Sequence, residues 1–449
     1  MTDDLMSKIV ALCKRRGFVF PTSEIYGGLV SSYDYGPAGA QLLRNIRNLW
    51  WREFIEKRDD MVGLDSQIIL HPKTWEASGH VSNFSEPMVE DAKTHKRYRL
   101  DHLIPGAESM TVDEMRTYAK SNKLKSPEGN ELTEPKQFNL LFKTSIGAVE
   151  GDKDEAYIRG ETAQGIFSNF RNIIDSTRVK LPFGVGQIGK SFRNEITTGQ
   201  FIFRTLEFEQ AEIEYFFDPE KVEWKALMEE WKTKMWQFVT EVLGVKQENL
   251  QWRQHTDKER SHYSKDTYDL DYKFPFGWKE LWGVAYRTDY DLNQHAKFSG
   301  IDLTYRDPDD NKVFVPHVIE PAVGINRLFF MVLADAYFED EKRVVLKFNP
   351  KVAPYKFAVF PLVKNKPELV EEARGLFNKL RAALLSVAWD DRGNIGKRYL
   401  AQDEIGTPWC VTVDYQTLED GTVTVRDRDT TLQERVKADT LIAYIAERL

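Results

Sequence analysis

The chain has 449 residues, enough for roughly two or three domains at about 150 residues each and for a sizeable core. Apolar residues make up 41% and charged residues 29%, which excludes a disordered or collagen-like chain, and the longest apolar run, Leu328 to Ala334, is far short of the ~20 residues of a membrane span. A net charge of −8 argues against polyanion binding by the whole surface, and two cysteines, Cys13 and Cys410, cannot build a disulfide framework or a zinc quartet.

In chain order, Met1-Thr2-Asp3-Asp4 lacks the basic start of a secretion signal, so a cytoplasmic location is expected. Pro37 to Lys57 reads as a helix, because Leu42, Leu43, Ile46, Leu49, Trp50 and Phe54 recur at helical spacing and Pro37 suits a first turn. Met61 to Leu70 reads as a strand, stopped by His71-Pro72. From Ser85 to Lys136 the chain is polar and broken by Pro105, Pro127 and Pro135, the marks of an insertion. Between Gly184 and Phe217 the pattern alternates as β, with strands at Phe201 to Phe208 and Ile213 to Phe217 and a Thr197-Thr198-Gly199-Gln200 turn between antiparallel partners. Gly283 to Asp289 and Val313 to Glu320 read as further strands. Successive strands with helices beside them and no βαβ repeat predict an α+β fold on an antiparallel sheet.

Two prolines in Asn349-Pro350-Lys351-Val352-Ala353-Pro354 mark a linker. Beyond it, Lys356 to Val363 reads as a buried strand, Pro367 to Val387 as a helix, and Trp409 to Asp414 and Thr422 to Val425 as strands, which together predict a small α/β domain with a mixed sheet. From Pro350 to Leu449, 15 basic residues balance 15 acidic ones, so the acidic excess falls entirely in the first 349 residues. The expected division is residues 1–345, with an insertion at about 85–136, and residues 350–449.

Gly184-Val185-Gly186-Gln187-Ile188-Gly189-Lys190-Ser191 satisfies both the GxxxxGK[ST] and GxGxxG patterns. Both need a helix leaving the loop, since backbone N–H groups at a helix start hold the phosphate. Here Ser191-Phe192-Arg193-Asn194-Glu195-Ile196 continues in extended fashion, so the glycines are read as thinning a strand for a close neighbour.

The stretch that follows carries the chemistry. In Phe192-Arg193-Asn194-Glu195 and Phe203-Arg204-Thr205-Leu206-Glu207-Phe208-Glu209-Gln210-Ala211-Glu212, alternation puts Arg204 and Phe208 on one sheet face with Glu212 further along. A guanidinium can grip phosphate, a ring can stack on a base, and a carboxylate can accept from an exocyclic amine. These residues alone equally allow an exposed face with cross-strand ion pairs. Val318-Ile319-Glu320-Pro321-Ala322-Val323-Gly324-Ile325-Asn326-Arg327 reads as a strand, a glycine turn and a helix that brings another arginine.

The helix, strand and proline of residues 37 to 72, the Phe192 to Glu195 hairpin and the Gly324 to Arg327 turn resemble motifs 1, 2 and 3 of the class II aminoacyl-tRNA synthetases. Asp34-Tyr35-Gly36-Pro37, Thr74-Trp75-Glu76-Ala77-Ser78-Gly79-His80, Glu161-Thr162-Ala163-Gln164-Gly165-Ile166-Phe167, Val318-Ile319-Glu320-Pro321 and Asp403-Glu404-Ile405-Gly406-Thr407-Pro408 resemble the glycyl-tRNA synthetases of the single-chain homodimeric type, over nearly the whole chain. The resemblance implies a class II antiparallel sheet with flanking helices, a C-terminal α/β anticodon-binding domain, and a homodimeric ligase. Such an enzyme uses ATP and Mg²⁺ to join glycine to tRNA(Gly) through glycyl-adenylate.

It also implies roles. Arg193 would bind the α-phosphate, Glu195 would read the adenine amine and Phe208 would stack on the base, with Asn194, Phe203, Glu207, Leu281, Ile325 and Asn326 completing the ATP site. Arg204 and Arg327 are expected at the γ-phosphate and Glu280 at magnesium, Arg193 and Arg327 being the catalytic pair. Glu161 and Glu212 would hold the glycine ammonium, with Arg99, Glu209, Gln210, Ala211, Glu320, Pro321, Ala322, Val323 and Gly324 around it. No zinc site is expected, and the eight histidines are read as structural or exposed. Four positions depart from the family pattern: Ala322 in place of serine, Leu206 of arginine, Gly160 of proline and Tyr286 of an aspartate or similar residue.

Overall fold

Seven strands form the central sheet of the computed structural model, which describes residues 2–107, 110–147, 154–196, 199–257, 260, 264–383 and 386–448. Their spatial order is Leu250–Gln254, Asp266–Phe274, Gly277–Thr288, His317–Gly324, Glu207–Phe217, Phe183–Phe192 and Met61–Gly63. Every neighbouring pair is antiparallel except the last, so the sheet is of the expected kind with one short parallel edge.

The period-2 alternation of Glu207–Phe217 decides what lies on each side of this sheet. Odd residues Ala211, Ile213, Tyr215 and Phe217 enter the largest core, with the buried side of Pro37–Trp51 and nearly all of Ile325–Ala336. Even residues Phe208, Gln210, Glu212, Glu214 and Phe216 face the opposite side, where Phe216 meets Phe167 and Phe170 of the helix Ala163–Ser176. The helix read from Pro37 is present: Leu42, Leu43, Ile46, Trp50 and Phe54 are buried, and a π-helical turn, Arg52–Glu56, extends it. The apolar run at Leu328 is a core helix, and among the described residues no helix is long and apolar enough to cross a membrane.

Several expectations are corrected. Met61 to Leu70 is two short strands in different sheets, Met61–Gly63 and Ile69–Leu70. Phe201–Phe203 is a 3₁₀ turn and the following strand starts only at Glu207, because Phe201 and Ile202 turn into the core instead of alternating; Thr197 and Thr198 lie outside the described residues. The strand read at Gly283 begins at Gly277, and Val313 to Glu320 splits into Val313–Phe314 and His317–Gly324. Gly184 to Ser191 lies within the strand Phe183–Phe192, and among the described residues no helix leaves it directly. A side chain at Gly186 would strike Ile55, and one at Gly189 would strike the Arg159 guanidinium, so these glycines admit close neighbours as read.

The polar stretch after Ser85 folds as a unit. Ser85–Glu90 pairs with Arg97–Arg99 and Lys136–Asn139, and the helix Val112–Ser121, started by a Thr111/Glu114 capping box, buries Met115 with Val89, Leu100 and Ile104. At the other end of the chain, Val387–Trp389, Phe357–Pro361, Trp409–Val413, Thr422–Asp427 and Gln433–Lys437 form a mixed sheet in that order. The helix from Pro367 ends at Ala382, short of the expected Val387, which begins a strand; Leu384 lies outside the described residues.

The proline-bounded stretch is not a free linker. Val352 and Ala353 are fully buried in the larger core, and the Asn45 side-chain amide donates to both their carbonyls at 3.1 and 2.9 Å. Arg428 donates to the Phe348 carbonyl at 2.8 Å, and Arg343 pairs with Asp403 at 2.8 Å, so both parts share polar contacts across the junction.

Candidate active site

The even face of Glu207–Phe217 floors a cavity of about 390 Å³. Moving along that strand from Phe208 to Glu212, its chemistry changes from cationic and aromatic to acidic.

At the first end, the Arg193 guanidinium lies 5.1 Å from the Phe84 ring and 5.3 Å from the Phe208 ring, while its Nε donates to the Gly160 carbonyl at 3.0 Å. Stacking on two rings holds the cation without neutralising it. Arg204 reaches Glu195 at 3.5 Å, and the Glu195 Oε2 accepts no hydrogen bond. Arg327 lies 4.5 Å over the Phe203 ring and pairs with the Glu280 carboxylate at 3.1 Å. Asp269, bonded to His255 at 2.7 Å, completes a wall.

At the other end, Glu161, Glu212 and Glu320 line the cavity. Burial pushes the Glu161 carboxyl up, but the charge and hydrogen bond of His80, 3.1 Å away, together with Arg287 and the Gln164 amide, outweigh it and hold the group well below the usual carboxylate range. Glu212 goes the other way: burial, reinforced by Glu320 and Glu161, raises it well above that range, against a hydrogen bond from Thr162. Glu320 is also raised by burial, although Arg287 donates to it at 2.8 Å and lowers part of the shift. Arg287 is fully buried and forks onto Asp291 with two bonds of 2.7 Å. Two neighbouring acids whose environments drive them apart suit a pocket for a cation.

The structure brings together at this cavity Glu161, Arg193, Glu195, Phe203, Arg204, Phe208, Gln210, Glu212, Glu280, Glu320, Ala322, Val323, Gly324, Asn326 and Arg327. Other expected residues fall elsewhere. Glu209 and Ala211 are odd residues on the core side, where Glu209 pairs with Arg47 at 2.5 Å. Leu281 and Ile325 are core residues. Glu207 pairs with Lys190 at 2.7 Å away from the lining, Pro321 sits opposite Val284 in the sheet, and the Asn194 N–H bonds to the Leu140 carbonyl. Arg99 lies in the added sheet, where Glu86 and Asp101 neutralise it. Gly324 has φ −76°, ordinary for any residue, so the strand passes directly into the helix Ile325–Ala336 without the expected glycine turn.

The sequence reading passed over Arg287, Asp291 and Glu214. Of the histidines read as structural or exposed, His80 is buried and tied to Glu161, and His255 lines the cavity. Continuing the alternation past Glu212 would have found Glu214; nothing local marks Arg287. Among the departures, Ala322 sits across the register from Glu212 on the cavity wall, Gly160 supplies the carbonyl that holds Arg193, and Tyr286 stacks on Trp224 and bonds His317 at 2.6 Å.

Comparison with known proteins places this geometry in a class. Residues 142–336 match the model of the tRNA synthetase class II core domain (G, H, P, S and T), and residues 356–448 match that of the anticodon binding domain. The antiparallel sheet that carries the cavity is thus the core of a class II aminoacyl-tRNA synthetase. The chain is 48% identical to a glycine–tRNA ligase of Alkaliphilus oremlandii (strain OhILAs), covering 100% of this chain and 99% of that protein. It is 47% identical to one from Caldanaerobacter subterraneus subsp. tengcongensis (99% and 98% covered) and 48% identical to one from Bacillus anthracis (99% of both). The chain belongs to the glycine–tRNA ligase family.

Proposed function

We propose that the aromatic and cationic end of the cavity binds ATP with Mg²⁺, that the acidic end binds glycine, and that the chain joins glycine to tRNA(Gly) through glycyl-adenylate. The observation that carries this is the meeting, on one strand face, of a ring-stacked arginine, Arg193, with the carboxylates Glu161 and Glu212. The first suits an α-phosphate, the second an ammonium group. A glycine held there by its ammonium presents its carboxylate toward the arginine end, for attack on the α-phosphorus with pyrophosphate as leaving group. Charge then builds on phosphoryl oxygens, where Arg193 and Arg327 stabilise it, and no protein nucleophile is required.

The Glu195 Oε2, which accepts no hydrogen bond and has Arg204 at 3.5 Å, is available to the adenine amine, and Phe208 to the base. Arg327 can exchange Glu280 for the terminal phosphate, with Arg204 beside it. Glu280 is then left as a hard oxygen donor of the kind that Mg²⁺ takes, with Asp269 nearby on the same wall. When bound with ATP, the metal neutralises phosphate charge. Residues 1–345 form the catalytic part and 350–449 the anticodon-binding part of this reading. Homodimer formation is supported by Ile25, Tyr26, Leu29 and Val30, which are 87, 86, 60 and 73% exposed just before the helix Pro37–Trp51, an apolar cluster suited to a second copy. A cytoplasmic location fits this role.

The test is glycine-dependent ATP–pyrophosphate exchange. The wild type should exchange, and Arg193→Ala should abolish exchange with an unchanged circular dichroism spectrum. Exchange close to wild type in that variant removes Arg193 from the mechanism.

A further inference from the structure

Glu214 lies two residues beyond Glu212 on the same strand face, where the cavity floor runs into the apolar cluster of Phe167, Phe170 and Phe216. Its side chain is completely buried, and neither carboxylate oxygen has a hydrogen-bond partner. The register, with Glu212 across from Ala322 and Tyr215 across from Ile319, sets Glu214 directly opposite Glu320. Carboxylate oxygens of Glu212, Glu214 and Glu320 lie within 4.8 Å of one another, near enough for one carboxyl group to bond another. A bond between two carboxyl groups requires a proton on one of them.

The charges around this cluster do not balance it. Arg287, from Gly277–Thr288, already serves Asp291 and Glu320. His80 serves Glu161, from the segment before the helix Ala163–Ser176. Arg159 gives its guanidinium to the carbonyls of Ser66, Gln67 and Lys190. Like charges directly opposite on adjacent strands repel, and a buried carboxylate without a cation takes a proton instead.

We propose that Glu212, Glu214 and Glu320 share a proton before the amino acid binds, with Glu214 as the positioning residue that keeps it there, and that entry of the substrate ammonium between Glu161 and Glu212 drives a proton out to solvent. This rests on the reading of the acidic end as the amino-acid pocket. Burial, reinforced by Glu320, Glu212 and Asp291, raises the Glu214 carboxyl well above the usual range despite the opposing charge of Arg287, so the cluster keeps protons where exposed carboxylates have lost them. Because the free site binds more protons than the complex, glycine affinity must rise with pH. Release of one proton per glycine corresponds to about tenfold in affinity per pH unit at the acidic limit.

Isothermal titration of the full-length protein with glycine, at pH 6, 7 and 8 in buffers of different ionisation enthalpy, counts released protons directly. The glycine KM for pyrophosphate exchange is followed in parallel. The expected wild-type result is release of up to one proton, largest at the lowest pH and declining as pH rises, with a KM that falls over the same range. Glu214→Gln, an isosteric neutral amide, should lower release at pH 7 by about threefold or more and flatten the KM profile. Buffer-independent heats with a pH-flat KM in the wild type overturn the proposal, and that measurement stands by itself should the variant not fold. Equal release in wild type and Glu214→Gln overturns the part given to Glu214. Heats that depend on sodium or potassium instead of buffer place a cation in the cluster and also overturn it. Normal exchange without proton release refutes this inference alone, whereas absence of any glycine binding refutes the pocket reading as well.

Discussion

Replacing Arg287 by methionine tests the electrostatic skeleton of the acidic end. The guanidinium is 1% exposed and makes three charge-assisted bonds of 2.7, 2.7 and 2.8 Å to Asp291 and Glu320. Methionine keeps much of the aliphatic bulk and removes all three. Two buried carboxylates are then stranded beside Glu161 and Glu214, both of which feel Arg287 as an attractive charge. Breaking a buried pair by removing one partner costs about 3–5 kcal/mol, and the weaker scale of surface pairs does not apply at this burial. With a urea m-value of about 3 kcal/mol/M, the unfolding midpoint of the larger part should fall by about 1–1.7 M at pH 7. Arg287→Met/Asp291→Asn should recover part of the loss, since one stranded charge is gone. The deficit should also shrink toward pH 5, as stranded carboxylates take up protons in the folded state. A midpoint within about 0.3 M of wild type, equivalent to ~1 kcal/mol, would refute the view that this arginine balances the buried acids.

Two further substitutions probe the walls of the site. Ala322→Ser adds a hydroxyl across the register from Glu212, worth about 0.5–1.5 kcal/mol net, so the glycine KM should fall by a factor of roughly 2 to 13 with the ATP KM little changed. A serine variant that loses glycine as severely as Glu161→Gln would show that the pocket is arranged otherwise. Gly189→Ala forces a methyl group onto the Arg159 guanidinium, which is fixed by three backbone carbonyls, and should cost about 1–3 kcal/mol in a thermal or urea melt. Unchanged stability would mean that Arg159 can move aside freely.

Local order was legible in the sequence wherever one element's own periodicity carries it. The spacing from Leu42 to Phe54 is enough to define a helix with one buried side, and alternation along Glu207–Phe217 is enough to separate Glu212 from its neighbours. Applied strictly, that alternation also sends Glu209 and Ala211 to the core side, where the structure has them. The glycine pattern at Gly184 to Ser191 could likewise be recognised as strand, because a phosphate loop depends on a local feature, the following helix, that the sequence lacks.

By itself, then, the sequence determined the elements with a strong period, the antiparallel character of the central sheet and the mixed character of the C-terminal one, and the motifs that resemble a class II synthetase. Tertiary structure decided the partnerships between distant positions. Strand register sets Glu214 against Glu320, and the completed sheet brings Arg287 to Glu320, 33 positions away. His80 reaches Glu161 across 81 positions, and Asn45 fastens carbonyls more than 300 positions away, turning an expected linker into buried structure. The physical reason is one of range: backbone periodicity and turn chemistry act within a few residues, whereas pairing of a buried charge is set by whichever segments the completed core brings together.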